Sequence, residues 1–154
     1  MQYIKGDLIK LAKEGNFEVI AHGCNCMCTM SAGIAKTIKL EFPEAYTADC
    51  ATEKGDKNKL GTCSFAACKI ENGVCDVVNA YTQYHWRGKG VLVDYDAIRS
   101  CMGWLKENYS GKKIGLPKIG AGLARGNWQV IESIIAEELN GENVTIVIFD
   151  IMSV

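Results

Sequence analysis

Arginine and histidine are scarce in this 154-residue chain, excess positive charge is missing, and no hydrophobic run is long. Arginine occurs only at Arg87, Arg99 and Arg125, none of them in a short loop following the cysteines at 24, 26 and 28. A thiol phosphatase closes such a loop with a guanidinium that cradles the phosphate dianion. Cysteine-based phosphate transfer is therefore disfavoured. Imidazole comes only from His22 and His85. The C-x-C-x-C spacing of Cys24, Cys26 and Cys28 is not the C-x-x-C type that structural zinc sites pair with a second set of ligands. Cys63 and Cys68 stand too far apart to complete one. Neither a metal site nor a cofactor is expected.

A formal net charge of −1 and a pI near 6.1 argue against nonspecific duplex binding, which requires a broad basic face. A small anionic ligand held by local donors stays compatible with that balance. No apolar run approaches the roughly 20 residues of a membrane helix, so no membrane partner is expected. The opening stretch MQYIKGDLIK lacks the apolar segment of a secretory signal. The eight cysteines are accordingly expected to be reduced thiols in the cytoplasm, most of them acting as small buried apolar side chains.

The chain does have clear α/β punctuation. Apolar alternation predicts a strand at 2–5, helical spacing a helix at 8–15 closed by Gly15, and an apolar run a strand at 17–23. Ile34, Ile38 and Phe42 recur at four-residue steps, giving an amphipathic helix over 31–42 ended by Pro43, with a further turn or two after it. Two strands flank Glu71-Asn72-Gly73, where Asn-Gly signals a hairpin. A helix at 94–109 with Asp94 as N-cap, a strand at 112–117, a helix at 128–139 and a strand at 144–151 complete the order. Strands alternating with helices imply a mixed, largely parallel sheet covered on both faces. One domain, 1–154, is expected, because no repeat, linker or low-complexity tract divides the chain.

Two strand-to-helix loops carry the functional signal. PKIGAGLARGNW (117–128) and CNCMCTMSAGIA (24–35) both join a strand to a helix through small residues. In a parallel sheet such loops emerge together at the carboxyl edge, where ligands bind, and their amides can hold an anion at a helix N-terminus. Two such loops on one edge suggest a diphosphate-bearing ligand. His22 ends the second strand and reads equally well as a core residue or a functional one, whereas Asn25 suits a sugar hydroxyl or a turn. Asp7 could accept from an exocyclic amine or cap the helix beginning at Leu8. Asn79, Tyr81, Thr82 and Gln83 could face the same cleft. The aromatic and basic loop YHWRGKG could be a lid or an exposed loop. VLVDYDAI imitates an aspartate-nucleophile phosphatase signature, but its position before a helix makes Asp94 a cap and Asp96 a solvated residue.

YIKGDL, AHGCNCMCTMSAGIAKTIKLEFP, VVNAYTQ and LPKIGAGLARGNW, in that order and spanning almost the whole chain, resemble the macrodomain family. The nearest pattern is that of the ADP-ribose 1″-phosphate phosphatases and the related terminal ADP-ribose glycohydrolases. The resemblance implies a three-layer α/β/α fold whose ligand is ADP-ribose or its 1″-phosphate. It implies that Asp7, beside Leu8, binds the adenine amine and that Phe149 stacks on adenine. Asn25 then lies by the distal ribose, and His22 is the catalytic histidine. Ser31, Ala32, Gly33, Ile34 and Ala35 form the first ligand loop; Pro117, Ile119, Gly120, Ala121, Gly122 and Leu123 form the second. The glycohydrolase pattern has an aspartate after G-x-G-L, where this chain has Ala124, and a helical lysine matched best by Lys39. The missing carboxylate tilts the expectation toward hydrolysis of the phosphomonoester, with a non-catalytic ADP-ribose reader or an ADP-ribosyl hydrolase as alternatives.

Overall fold

The computed structural model describes residues 1–150. Its strands are β1 (Gln2–Gly6), β2 (Val19–Cys24), β3 (Cys63–Ile70), β4 (Gly73–Tyr81), β5 (Lys113–Leu116) and β6 (Asn143–Phe149). Its helices are α1 (Leu8–Lys13), α2 (Gly33–Glu41), α3 (Pro43–Cys50), α4 (Tyr95–Tyr109) and α5 (Trp128–Glu138). The strands form one sheet in the order β1-β6-β5-β2-β4-β3. Every neighbouring pair is parallel except β3 with β4, which are antiparallel. The carboxyl ends of five strands therefore share one edge.

Strand alternation builds two cores, one on each face. Val19 and Ala21 of β2 pack with Ile98, Leu105, Ile131 and Ile135 of α4 and α5. Ile20 faces the other way, toward Leu8, Ala12, Ile38 and Ala45 of α1, α2 and α3. The layers are thus α/β/α, as the element order implied. Among the described residues, no helix is long and apolar enough to cross a membrane.

Several expected boundaries move for local reasons. The second strand starts at Val19 rather than 17, and Phe17 is a core residue ahead of it. α2 starts at Gly33, because Ala32 is extended at φ −146° and ψ 156°. Phe42, at φ −131°, ends α2, and Pro43 opens α3 instead of merely stopping its predecessor. This follows from the fixed φ and missing N–H of proline, which suit a first helical position. The hairpin exists, but its register pairs Ile70 with Gly73, so Glu71 and Asn72 form the turn. The last expected strand residue, Ile151, and the end of the expected domain fall outside the described residues.

Candidate functional site

The loops after β2 and β5 enclose a cleft of about 640 Å3 at the carboxyl edge of the sheet, within the usual size of small-molecule sites. The first loop contributes Asn25, Thr29 and Ser31–Ala35, and the second contributes Pro117–Gly120 and Gly122–Arg125. Gly23 and Cys24 at the end of β2 form the floor, and Gln83 and Trp86 add a third wall. The two loops touch: a Cβ on Gly33, whose φ is +60°, would stand 3.2 Å from Leu123 Cδ1.

Electrostatics follow from what lines the cleft. Lys118 and Arg125 are present, and no aspartate or glutamate is. The N-terminus of α2 has no side-chain cap, whereas Asp7, Asp94 and Asn127 cap α1, α4 and α5. The first-turn amides of α2 receive no side-chain cap, as is also true of α3, but only those of α2 stand at the cleft. Unpaired amides at a positive helix end attract anions.

The second loop is held open by glycine. Gly126 N–H donates to Gly120 O at 2.8 Å. A Cβ on Gly126 would approach that same oxygen to 2.5 Å, and Gly120 adopts φ +77°. In the first loop Asn25 Oδ1 accepts from Met27 N–H at 2.8 Å, and its Nδ2 donates to Thr29 Oγ1 at 2.8 Å. Asn25 thus shapes its own loop while standing on the cleft wall. Behind that loop the buried Lys59 ammonium donates to Cys26 O at 3.1 Å and to Cys28 Sγ at 3.6 Å.

The structure brings Asn25, Ser31, Ala32, Gly33, Ile34, Ala35, Pro117, Ile119, Gly120, Gly122 and Leu123 into one cleft. It separates others. His22 is fully buried and does not line the cleft. It shares strand parity with Ile20, so its ring lies on the α1–α3 face, 2.7 Å from Asn79 Oδ1. Burial pushes its pKa down to about 4, despite the hydrogen bond that Asn79 Oδ1 accepts from the ring. Leu8 is a core residue, and Ala121 packs against the α4–α5 core. Asp7 caps α1, its Oδ1 accepting from Ile9 N–H at 3.0 Å and Lys10 N–H at 3.2 Å. Phe149 is exposed at the end of β6, in register with Gly6. Asp7 and Phe149 therefore share the cleft's edge of the sheet but flank it on the β1–β6 side.

Cys24 and Cys26, at the end of β2 and the start of the first loop, are poorly set up as nucleophiles. Cys24 Sγ lies 3.5 and 3.7 Å from the two ring nitrogens of His22, facing the ring rather than one lone pair. Burial raises the Cys24 pKa well above its ordinary value and pushes Cys26 up to about 11. Asp94 and His85 are also committed, the first to Ala97 N–H at 3.0 Å and the second to Arg87 N–H at 2.9 Å. Lys39 Nζ sits 4.2 Å from the Tyr46 ring centroid, and neither it nor Lys36 lines the cleft. Among the described residues, no group of three His, Cys, Asp or Glu side chains is arranged to hold a metal ion.

Gly23, Thr29 and Lys118 also line the cleft and carry no signal singled out in the sequence, and Cys24, expected as a packing or loop residue around the site, lines it too. Lys118 adjoins the G-A-G signal, and its charge could have drawn notice. Gly23 and Thr29 become cleft residues only through the course of the first loop.

Fold and cleft together define an α/β/α module with an anion-receptive site at the sheet's carboxyl edge. The Macro domain family model matches residues 21–135, and the chain belongs to that family. It is 39% identical over 140 residues to an uncharacterized 17.5 kDa protein of Enterobacteria phage T4, covering 88% of this chain and 87% of that one. It is 24% identical over 160 residues to the ADP-ribose 1″-phosphate phosphatase of Scheffersomyces stipitis, covering 88% and 92%. Thermosipho africanus DarTG, solved in complex with ADP-ribose, superposes with a TM-score of 0.73 at 18% identity, covering 99% of this chain and 42% of that one.

Proposed function

We propose that the cleft binds ADP-ribose and that the protein hydrolyses the phosphomonoester of ADP-ribose 1″-phosphate, giving ADP-ribose and phosphate. The observation that carries this reading is a lining with two cations, an uncapped helix N-terminus and no carboxylate. Such a wall favours a ligand rich in phosphate, including an additional dianion on the distal ribose. The yeast relative, matched over most of both chains, points the same way.

Phosphoryl transfer makes modest demands on a base, because its transition state is loose and its charge is spread over the transferred group. Positioned amides and cations therefore do most of the work. The α2 amides and the second loop would hold the diphosphate, Asn25 would orient the distal ribose, and Lys118 would meet phosphate charge. His22, neutral and sealed behind Cys24, supports the floor and does not touch substrate in this scheme. Its burial favours a second reading, ADP-ribose binding without turnover.

Titration calorimetry with ADP-ribose tests the cleft, and phosphate release from the 1″-phosphate tests turnover. Binding with release supports the phosphatase, and binding without release supports the reader. No heat at millimolar ligand would defeat both readings.

A further inference from the structure

The segment Gln83–Val93 links β4 to the Asp94 cap of α4 and carries His85, Arg87 and Lys89 with no acidic residue. Its near end is tied to the first loop, where Cys26 N–H donates to Tyr84 O at 2.9 Å. Its far end is tied to the second loop, where Leu92 N–H donates to Ala124 O at 2.8 Å. Between these ties stands Trp86, a wall of the cleft that neither glycine loop supplies. The Arg87 guanidinium lies over the Trp86 ring, 4.3 Å from its centroid.

One side chain holds the middle of this strap. Arg125 Nη1 donates to Gly90 O at 2.8 Å, and its Nη2 donates to Gly88 O at 3.1 Å. Among the described residues, the one other hydrogen bond from 86–91 is local, Arg87 N–H to His85 Nδ1 at 2.9 Å. Arg125 does this from φ +61°, a left-handed conformation that disfavours a residue with a Cβ. A planar guanidinium can bridge two carbonyls in a fixed fork, which an ammonium cannot.

We propose that Arg125 is a positioning residue that clasps the strap to the second ligand loop and thereby holds Trp86 as the third wall of the cleft, slowing ligand release. The proposal rests on the reading that this cleft binds ADP-ribose. It assigns Arg125 a task apart from direct attraction of phosphate, because both nitrogens named above already face protein carbonyls.

The test is amide hydrogen exchange on the ligand-free full chain, together with ADP-ribose affinity, for wild type, R125K, R125A, W86A and R125A/W86A. In R125A the Arg87, Leu92 and Val93 amides, which donate to His85 Nδ1 and Ala124 O within and beside the strap, exchange about tenfold faster or more, the scale of losing charge-assisted hydrogen bonds. The β2 and β5 amides keep their protection, which shows that the fold persists. R125K fails to restore protection. R125A and W86A each weaken ADP-ribose binding mainly through faster dissociation, and the double variant loses no more than the worse single one. Unchanged strap exchange in R125A alongside weaker binding would assign Arg125 to the ligand itself and overturn the clasp. Fully additive losses would overturn it as well. Should wild type fail to bind ADP-ribose, the ligand reading falls, and exchange in the free protein still decides whether the clasp exists.

Discussion

His22 Nε2 and Asn79 Oδ1 are 2.7 Å apart, both residues are fully buried, and Asn79 Nδ2 continues to Ala45 O at 2.9 Å. This bond ties β2 through β4 to α3 and turns the imidazole away from the cleft. Burial lowers the His22 pKa from 6.5 to about 4, so the unfolded chain binds this proton more readily than the folded one. The stability linked to His22 is therefore complete above pH 6.5 and is lost as pH falls toward 4. The full difference is roughly 3 kcal/mol. Urea denaturation from pH 7 to pH 4 should show wild type losing stability faster than His22→Gln. Parallel curves would show that the imidazole is not held neutral by the fold.

The second loop separates two glycines that look equivalent in sequence. Gly126→Ala drives a methyl against Gly120 O, a backbone atom that cannot swing aside. Gly122→Ala meets nothing within 4 Å and needs no left-handed φ. Gly126→Ala should destabilise by about 1–3 kcal/mol and abolish ADP-ribose binding. Gly122→Ala should keep wild-type stability but weaken the ligand, because Gly122 lines the cleft. Thermal unfolding and calorimetry on the pair check this; equal stability loss in both would contradict the loop geometry.

At Asp7, capping and ligand recognition can be separated. Oδ1 is occupied by the cap, and Oδ2 makes no hydrogen bond among the described residues. Asn is also a good N-cap, so Asp7→Asn should change stability by less than about 0.5 kcal/mol. It removes the carboxylate that would accept from an adenine amine, so affinity for ADP-ribose should drop about tenfold. Affinity for ribose 5-phosphate should not change. An equal loss for both ligands would remove Asp7 from adenine recognition.

These contrasts show what the sequence disclosed and what it hid. Sheet, layers and both ligand loops were legible because they are written locally, in strand-helix alternation and in glycines at strand ends. Asp94 as a cap was legible for the same reason. His22 stands at the strand end beside the cleft, yet its ring is buried against Asn79, while Cys24, of the same strand parity, lines the cleft. The Arg125 clasp spans 35 and 37 residues to its two acceptors. The Lys59 ammonium reaches back 33 residues to Cys26 O. No spacing rule reveals contacts made only when distant loops meet.

The thiols offer a check on the first loop. Cys50 is exposed, and Cys24 and Cys26 are buried with raised pKa values. Iodoacetamide at neutral pH should modify Cys50 first and leave ADP-ribose affinity unchanged, as read by peptide mass mapping and calorimetry. Prompt alkylation of Cys24 with parallel loss of binding would instead reveal an accessible, reactive thiol in the cleft.

Phosphate release from ADP-ribose 1″-phosphate tests the central claim most directly, with His22→Gln assayed beside wild type. Both proteins should yield one phosphate and one ADP-ribose per substrate consumed, at rates within a few-fold of each other. No release from wild type at enzyme equal to substrate would contradict the phosphatase. Release that vanishes in a folded His22→Gln would contradict the placement of His22 outside the chemistry.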